Sequence, residues 1–475
     1  MVVRGYWIDG REEQGSGEDA RVTAPYNGEV IAEFKWTTPK DVNKAVASSV
    51  HCFRNTMKRM PAHERAAILR RAADLADERA EELAQIICWE GGKPIRFARA
   101  EAKRVSEIFR FAAEEARRLG GEIVPMDASP GGEGRMGFAL RVPLGVVAAI
   151  SPFNAPLNLS VQKVAPAIAA GCTVVLKPSK ATPLTALAIG KLMTDAGAPP
   201  GACNVITGGR DSVSALVKHP DVSVVSFTGS TTVGEQIRAV ASYKKVLLEL
   251  GSNAPNIVCP SADLDAAAKA IVQAGFHSSG QICVSAQRVY VHESIWEEFM
   301  IRLLDEVAKL KVGDPRDPET DVGPLINREA VERIAAWIDE AVSQGAQILA
   351  GGTSEGPHVM PTVITGVKQD MKVVCQEIFG PVITVSSFKE IGEAIDLAND
   401  SIYGLQAGVF TRDVNEAFLF ARELEYGSIW INDASRYRQD NTPFGGFKQS
   451  GLGREGVHYA VEEMTETKFV GLKLA

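Results

Sequence analysis

From Arg141 onward the chain falls into a regular alternation that constrains its fold more than any other feature. Short apolar or β-branched runs at Val142–Ile150, Thr173–Lys177, Asn204–Thr207, Val222–Phe227 and Lys245–Leu250 alternate with helical patterns at Leu159–Ala170, Thr182–Ala196, Ser212–Lys218 and Val233–Ser242. A strand, a crossover helix and a second strand in the same sheet run parallel and right-handed. The block therefore predicts a parallel sheet covered by helices on both faces. A second block repeats the theme. Its strands are expected at Ala254–Val258, Val289–His292, Ala346–Ala350, Val382–Ser387, Ala407–Phe410 and Ser428–Ile431, and its helices at Leu264–Gly275, Ile295–Leu310, Arg328–Gln344, Ile391–Ala398 and Val414–Leu424. The expected fold is α/β, with two doubly wound parallel-sheet domains joined near Gly251. Upstream, Tyr6–Asp9 and Gly28–Phe34 read as short strands and Pro39 to Leu119 as helical. Asp41 is placed to cap a helix through Val50, Pro61 opens another helix, and Arg99–Leu119 forms a long amphipathic one. Gly120–Gly137 reads as a connection or small hairpin.

Composition narrows the partners. With 475 residues, 45% apolar and 23% charged, the chain can bury a large core. Its 51 basic against 59 acidic residues leave a net charge of −8 with no basic stripe, which argues against nucleic acid or an anionic membrane as partner. Apolar stretches such as Gly145–Ile150 and Ala165–Ala170 fall far short of the ~20 residues that span a bilayer. The opening residues lack a basic segment followed by an apolar one, so no secretory signal is read there. The seven cysteines are scattered without a Cys-x-x-Cys pair, which points to a reducing compartment and no zinc ribbon. A cytoplasmic enzyme is expected.

Several local patterns carry chemistry. Gly280-Gln-Ile-Cys283 sets a thiol in a glycine-flanked turn, where nearby N–H dipoles can lower its pKa and make it a nucleophile. Its bland alternative is a small buried hydrophobe. Glu249 ends an apolar strand, where poor solvation can raise a carboxylate into the range of a general base; a strand end facing water is the other reading. Asn154, after Ile150-Ser-Pro-Phe, can stabilise an oxyanion or simply make a turn. Phe227-Thr-Gly229-Ser230 through Gly234 runs from strand to helix and can receive a pyrophosphate, although its spacing departs from Gly-x-Gly-x-x-Gly. Lys177-Pro-Ser179-Lys180 caps a neighbouring strand at the edge where open α/β sheets bind ligands.

Taken together and in order, the chain resembles the NAD(P)+-dependent aldehyde dehydrogenase superfamily over nearly its whole length, in a branch like the succinate-semialdehyde and lactaldehyde dehydrogenases. The matching stretches are Ser151-Pro-Phe-Asn154, Lys177-Pro-Ser179, Phe227-Thr-Gly-Ser230, Leu248-Glu-Leu-Gly251, Gly280-Gln-x-Cys283, Gln376-Glu-Ile-Phe-Gly-Pro381 and Pro443-Phe-Gly-Gly-Phe-Lys-Gln-Ser-Gly451. The resemblance implies that Cys283 attacks an aldehyde carbonyl while Asn154 and the Cys283 N–H hold the oxyanion. It implies that Glu249 activates the water that hydrolyses the thioester, with Lys163 and Glu455 relaying its proton to solvent. Glu377 and Phe379 match positions that hold the nicotinamide ribose and ring. Lys177, Gly229, Ser230 and Gly234 match adenosine and pyrophosphate contacts, and Ile150, Ser151, Phe153 and Ser179 fall among the cofactor-binding positions. No metal is required. By the same resemblance, residues 1–119 and 140–250 form the cofactor domain, 251–465 the catalytic domain, and 120–139 with 466–475 a β flap that builds a homodimer or a tetramer of two dimers.

Where the chain departs from the family pattern, specificity is at stake. Lys180 stands where many NAD-preferring members carry a Glu that accepts bonds from ribose hydroxyls. An ammonium cannot accept a hydrogen bond and attracts a 2′-phosphate, so dual use of NAD and NADP is expected, with NADP favoured. Phe153 replaces the usual Trp and changes pocket width. Ser252-Asn253 replaces a common Gly-Gly or Gly-Lys. Arg436 and Arg438 lie in a loop that in the resembled family borders the aldehyde entrance, where they can clamp an anionic group, with Arg99, Lys103 or Arg110 adding a cation. A small anionic or hydroxylated aldehyde is therefore expected, the alternatives being an aromatic or aliphatic aldehyde or a CoA-acylating reaction.

Overall fold

In the computed structural model, which describes residues 3–474, the two alternating blocks build two mainly parallel sheets. Residues 1, 2 and 475, the outermost ends of the expected cofactor domain and flap, lie outside the described residues. The first sheet has eight strands in the order Gly451–Leu452, Lys245–Glu249, Val222–Thr228, Val146–Ile150, Thr173–Lys177, Cys203–Val205, Tyr6–Ile8 and Arg11–Glu13. The run from Lys245–Glu249 to Cys203–Val205 is parallel, and its register sets Ile150 beside Lys177 and Phe227, and Thr228 beside Glu249. The chain winds outward from Val146–Ile150 to Cys203–Val205, then returns to the other side for Val222–Thr228. Strand order thus reverses beside Val146–Ile150, where a crevice opens at the carboxyl ends.

Beneath this sheet lies the helix Pro156–Ala170, buried along its entire length. The helices Ala62–Glu78 and Ile95–Arg118 pack over it, the latter through Ala98, Ala102, Val105, Phe109, Ala112 and Ala116 at helical spacing. The first helix runs from Pro39 to Asn55, past the expected Val50. Thr38 is its N-cap, and Asp41 sits one turn in, accepting the Thr38 N–H at 2.8 Å.

The second sheet orders its strands Gln347–Ala350, Thr362–Thr365, Val382–Phe388, Arg288–His292, Pro255–Val258, Gln406–Phe410 and Ser428–Ile431, all parallel except the first. Thr362–Thr365 was not expected as a strand, although Thr-Val-Ile-Thr between Pro361 and Gly366 carries the signal. One expected strand, Val142–Ile150, is divided. Pro143 has no N–H for a central ladder and Gly145 takes φ +130°, so the run breaks there. The upstream part, Arg135–Pro143, leaves for a three-stranded antiparallel sheet between Gly121–Val124 and Thr465–Lys473. Only Leu250–Ala254 separates the last parallel strand of the first sheet from the first strand of the second. Val457, Val461 and Met464 pack back into the first core. Among the described residues no helix is long and apolar enough to cross a membrane.

Candidate active site

Glu249 is the last residue of its strand and is buried. Burial is the main cause that lifts its carboxyl well above the usual range, with the Glu455 carboxylate adding to it and Arg438, Lys163 and Arg454 opposing. Its Oε2 has no hydrogen-bond partner. Glu455 is also buried but is held charged between two cations. Lys163 Nζ lies 2.7 Å from its Oε1 and Arg438 Nη2 3.1 Å from its Oε2, which bring its pKa down against the effect of burial. Lys163 comes from the fully buried helix, where an ammonium must find partners. It finds a second in Thr228 Oγ1 at 2.7 Å. The structure thus brings Glu249, Glu455 and Lys163 together, and adds Arg438 and Thr228.

Cys283 follows a strained turn. Ser278, Ser279 and Gly280 take φ of 48°, 58° and 69°, a left-handed conformation that costs the two serines about 1–3 kcal/mol each. At Gly280 a Cβ would collide with the carbonyl of Gly380, so only glycine lets this turn press against the Gln376–Pro381 segment. The thiol is pushed up to about 12, first by burial and then by the Glu377 carboxylate, with Glu249 and Glu455 adding and Arg438 opposing. This reverses the expected lowering: burial and the carboxylates outweigh the dipoles of the turn. Cys283 rests as a neutral thiol.

Glu377 accepts the Ser252 N–H at 3.0 Å and is pushed up to about 7 by burial. Phe379 adopts φ 52°, rare for a bulky residue, and meets Phe153 edge-on at 5.8 Å. Gln287 braces this segment: its Nε2 donates to the carbonyls of Val373 (3.0 Å) and Gln376 (2.7 Å), and its Oε1 accepts the Ile378 N–H at 3.0 Å. Asn253, one of the two residues that depart from the family pattern after Gly251, ties the joint between the sheets. Its Nδ2 donates to Val374 O at 2.8 Å, its Oδ1 accepts from Ser401 Oγ at 2.9 Å, and its carbonyl accepts from the buried Arg288 at 2.7 Å.

A cavity of about 200 Å³ opens onto Cys283 and Asn154, walled by Phe97, His277, Phe444 and a cluster of cations. Most are neutralised. Arg104 clasps Asp440 with two bonds of 2.7 and 2.6 Å, Lys93 pairs with Glu101, and Arg438 with Glu455. Arg436 has no ion-pair partner among the described residues; Asp433 is the carboxylate that faces it. Of the two expected clamps, the structure leaves Arg436 unpaired and engages Arg438 elsewhere. The long helix contributes Arg104, whereas Arg99 and Arg110 pair with surface carboxylates and Lys103 is exposed. His277 packs tilted against Phe97, ring centroids 3.9 Å apart, and burial with Arg436, Lys93 and Arg96 nearby holds it well below its usual pKa. No sequence motif marked His277, Lys93 or Arg104; only their meeting in space does.

On the first sheet's carboxyl edge lies an open cleft of about 1110 Å³. Trp36, Lys177, Ser179, Lys180 and Arg210 line it, with one face of the helix Thr231–Val240. The Lys177 ammonium is buried without a carboxylate partner among the described residues and is brought down to about 8 by burial and by Lys180. Lys180 lies 5.8 Å from the Trp36 ring centroid and 3.9 Å from Glu18. Ser230 caps the helix, and at Gly234 a Cβ would strike Leu250, so the helix packs close to the strand end. Gly229 forms the turn before it. Ile150 and Ser151 sit buried at the switch point, with the Ser151 hydroxyl accepting from Ser160 at 2.8 Å. A dinucleotide fits this donor set. An unpaired buried cation awaits an anion, and Thr231 Oγ1 and Ser252 Oγ, both beside Glu377, are buried without partners.

The aldehyde dehydrogenase family model matches residues 11–470. A 3-sulfolactaldehyde dehydrogenase of Priestia aryabhattai is 46% identical, covering 99% of this chain and 98% of that protein. A mitochondrial succinate-semialdehyde dehydrogenase of Arabidopsis thaliana is 43% identical, covering 99% and 88%. Among solved structures, aldehyde dehydrogenase 21 from Physcomitrella patens in complex with the reaction product succinate superposes with a TM-score of 0.96 at 37% identity, covering 100% of this chain and 99% of that one. An E. coli NADP-dependent enzyme (TM-score 0.96, 35% identity, 99% and 98% covered) and an NAD-dependent aldehyde dehydrogenase from Sinorhizobium meliloti (0.96, 38%, 100% and 95%) match as closely.

Proposed function

Because the chain belongs to the aldehyde dehydrogenase family, we propose that it oxidises a small anionic or hydroxylated aldehyde to the acid, using NADP+ or NAD+ with NADP+ favoured. The observation that carries the substrate class is Arg436, the cation of the Cys283 cavity left without a partner while Lys93, Arg104 and Arg438 are neutralised. A half-buried guanidinium with no carboxylate partner is poorly solvated, and a carboxylate or sulfonate on the substrate can take it through a charge-assisted, two-point bond. The names of the relatives accord with this choice. For the cofactor, Lys180 and Arg210 supply positive charge to the cleft, which suits a 2′-phosphate.

The Cys283 thiol gives up its proton to solvent, its thiolate Sγ bonds to the aldehyde carbon as the carbonyl π bond opens, and the Asn154 amide with the Cys283 N–H stabilises the oxyanion. Glu377, Phe379 and Lys177 would hold a nicotinamide, which would accept the hydride leaving the former aldehyde carbon as that carbon becomes the thioester carbonyl. Glu249 then takes a proton from the water that attacks the thioester carbonyl, and the C–S bond breaks to release the acid. Glu455, Lys163 and Thr228 carry the proton onward. The three-stranded sheet leaves Ile123 (84% exposed) and Phe469 (52%) in solvent, which suits burial against a second copy in a homodimer or tetramer. A cytoplasmic setting accords with the unpaired cysteines.

The test is formation of reduced nicotinamide across an aldehyde panel, with NAD+ and NADP+ in parallel. Succinate semialdehyde and a sulfonate aldehyde should exceed hexanal and benzaldehyde in kcat/KM by about tenfold or more. Preference for hexanal or benzaldehyde would overturn the substrate class.

A further inference from the structure

The Arg438 guanidinium is spent inside the protein. One Nη binds Glu455, its plane lies 3.6 Å from the Phe444 ring centroid, its Nε is buried without a partner, and its side chain is only 10% exposed. Phe444 and Glu455 are themselves locked together, each N–H donating to the other's carbonyl at 2.9 and 2.6 Å. The ring on which Arg438 stacks and the Glu455 carboxylate it binds are therefore tied through one backbone-bonded pair. On the other carboxylate oxygen of Glu455 stands Lys163, and the Glu249 carboxyl is near enough to feel the charges of Glu455, Lys163 and Arg438. Two buried carboxylates this close cannot both ionise unless cations offset them. Lys163 from the buried helix and Arg438 from the 432–443 loop are those cations. Arg454 adds a weaker field, its Nη1 bonded to the Gly453 carbonyl at 2.7 Å, and Cys283 is the remaining titratable group that faces Glu249.

We propose that Arg438 is a positioning residue for thioester hydrolysis: by fixing Glu455 and setting a positive charge against the Glu249–Glu455 pair, it sets the pH above which Glu249 can accept a proton from water. The proposal rests on the reading of Glu249 as the general base. With Arg438 gone, two carboxylates share one strong cation, the pair holds its proton more tightly, and Glu249 is idle over a wider range of pH. The step itself is unchanged: water oxygen bonds to the thioester carbon, its proton goes to Glu249, and Cys283 leaves as thiolate.

The experiment is single-turnover and steady-state formation of reduced nicotinamide by Arg438→Gln and Arg438→Lys, from about pH 6 to pH 10, with propanal and with succinate semialdehyde. Arg438→Gln should keep the initial burst, slow the following turnover about tenfold near pH 7, and raise its pH midpoint by about one unit with both aldehydes. Arg438→Lys should fall between Gln and wild type. A rise in KM for succinate semialdehyde alone, with the midpoint unmoved in whichever variant folds, would overturn the proposal and make Arg438 a substrate clamp. Glu249→Gln separates the two claims. If it turns over like wild type, the general-base reading fails; if it stalls after the burst while the Arg438 variants keep the wild-type midpoint, only the present proposal fails.

Discussion

The first sheet reaches the active site with the carboxyl ends of its strands, and the second with the amino ends of its own. Ile150, Lys177, Thr228 and Glu249 close strands of the first sheet, as the crevice rule for doubly wound folds requires. In the second sheet, Cys283 lies just ahead of Arg288–His292, Glu377 and Phe379 just ahead of Val382–Phe388, and Asn253 just ahead of Pro255–Val258. The short joint Leu250–Ala254 makes this geometry, since a chain leaving one sheet at its carboxyl edge enters the next at its amino edge. The two edges are held differently. The first relies on strand register and on a helix N-terminus seated close to a strand. The second relies on side-chain bonds from Gln287, Asn253 and Arg288 and on left-handed backbone at Ser278, Ser279 and Phe379.

Substitutions on the two edges should fail in different ways. Cys283→Ser should abolish both burst and turnover, a loss of at least about 10³-fold with every aldehyde. Glu249→Gln, on the opposite edge, should spare the burst and slow turnover by about 10²–10⁴-fold; equal loss of both phases would mean that the edges do not divide the chemistry. In the cavity between them, Arg436→Gln should cut kcat/KM for succinate semialdehyde by about 10–100-fold and for propanal by less than about threefold. Lys180→Glu at the cleft should shift the NADP+/NAD+ ratio of kcat/KM toward NAD+ by about tenfold, and an unchanged ratio would remove Lys180 from cofactor choice. Gln287→Ala should lower stability by about 1–3 kcal/mol, read by denaturant unfolding, because it leaves buried backbone groups unpaired.

The raised thiol offers one further check. For the cofactor-free protein, thiolate at Cys283 grows as pH rises toward about 12. Inactivation by iodoacetamide should then rise about tenfold per pH unit from about pH 6 to pH 9, without a plateau. A plateau near neutrality would show that the dipoles of the turn prevail after all.

Much of the site was legible because backbone chemistry leaves marks in sequence. Gly280, Gly229 and Gly234 flag turns and close approaches, and Cys283, Glu249 and Asn154 sit in short patterns beside strand ends. The strand division at Pro143 and Gly145 was also written in the residues but was outweighed by the apolar run around it. The cation cluster left no such mark. Lys93, Arg104, His277 and Asp440 are spread over distant segments, and any one of them reads as an ordinary surface residue until the helices pack.

The alternation of periods, the order of the motifs and the glycines determined the fold class, the family resemblance and the candidate site residues, because each depends on neighbours within a few positions along the chain. Charge state was decided only by the tertiary structure. Whether Cys283 rests as thiol, whether Glu249 holds its proton, and which arginine is left without a partner all depend on burial and on Coulomb terms between groups far apart in sequence, and those distances exist only once the two sheets have met.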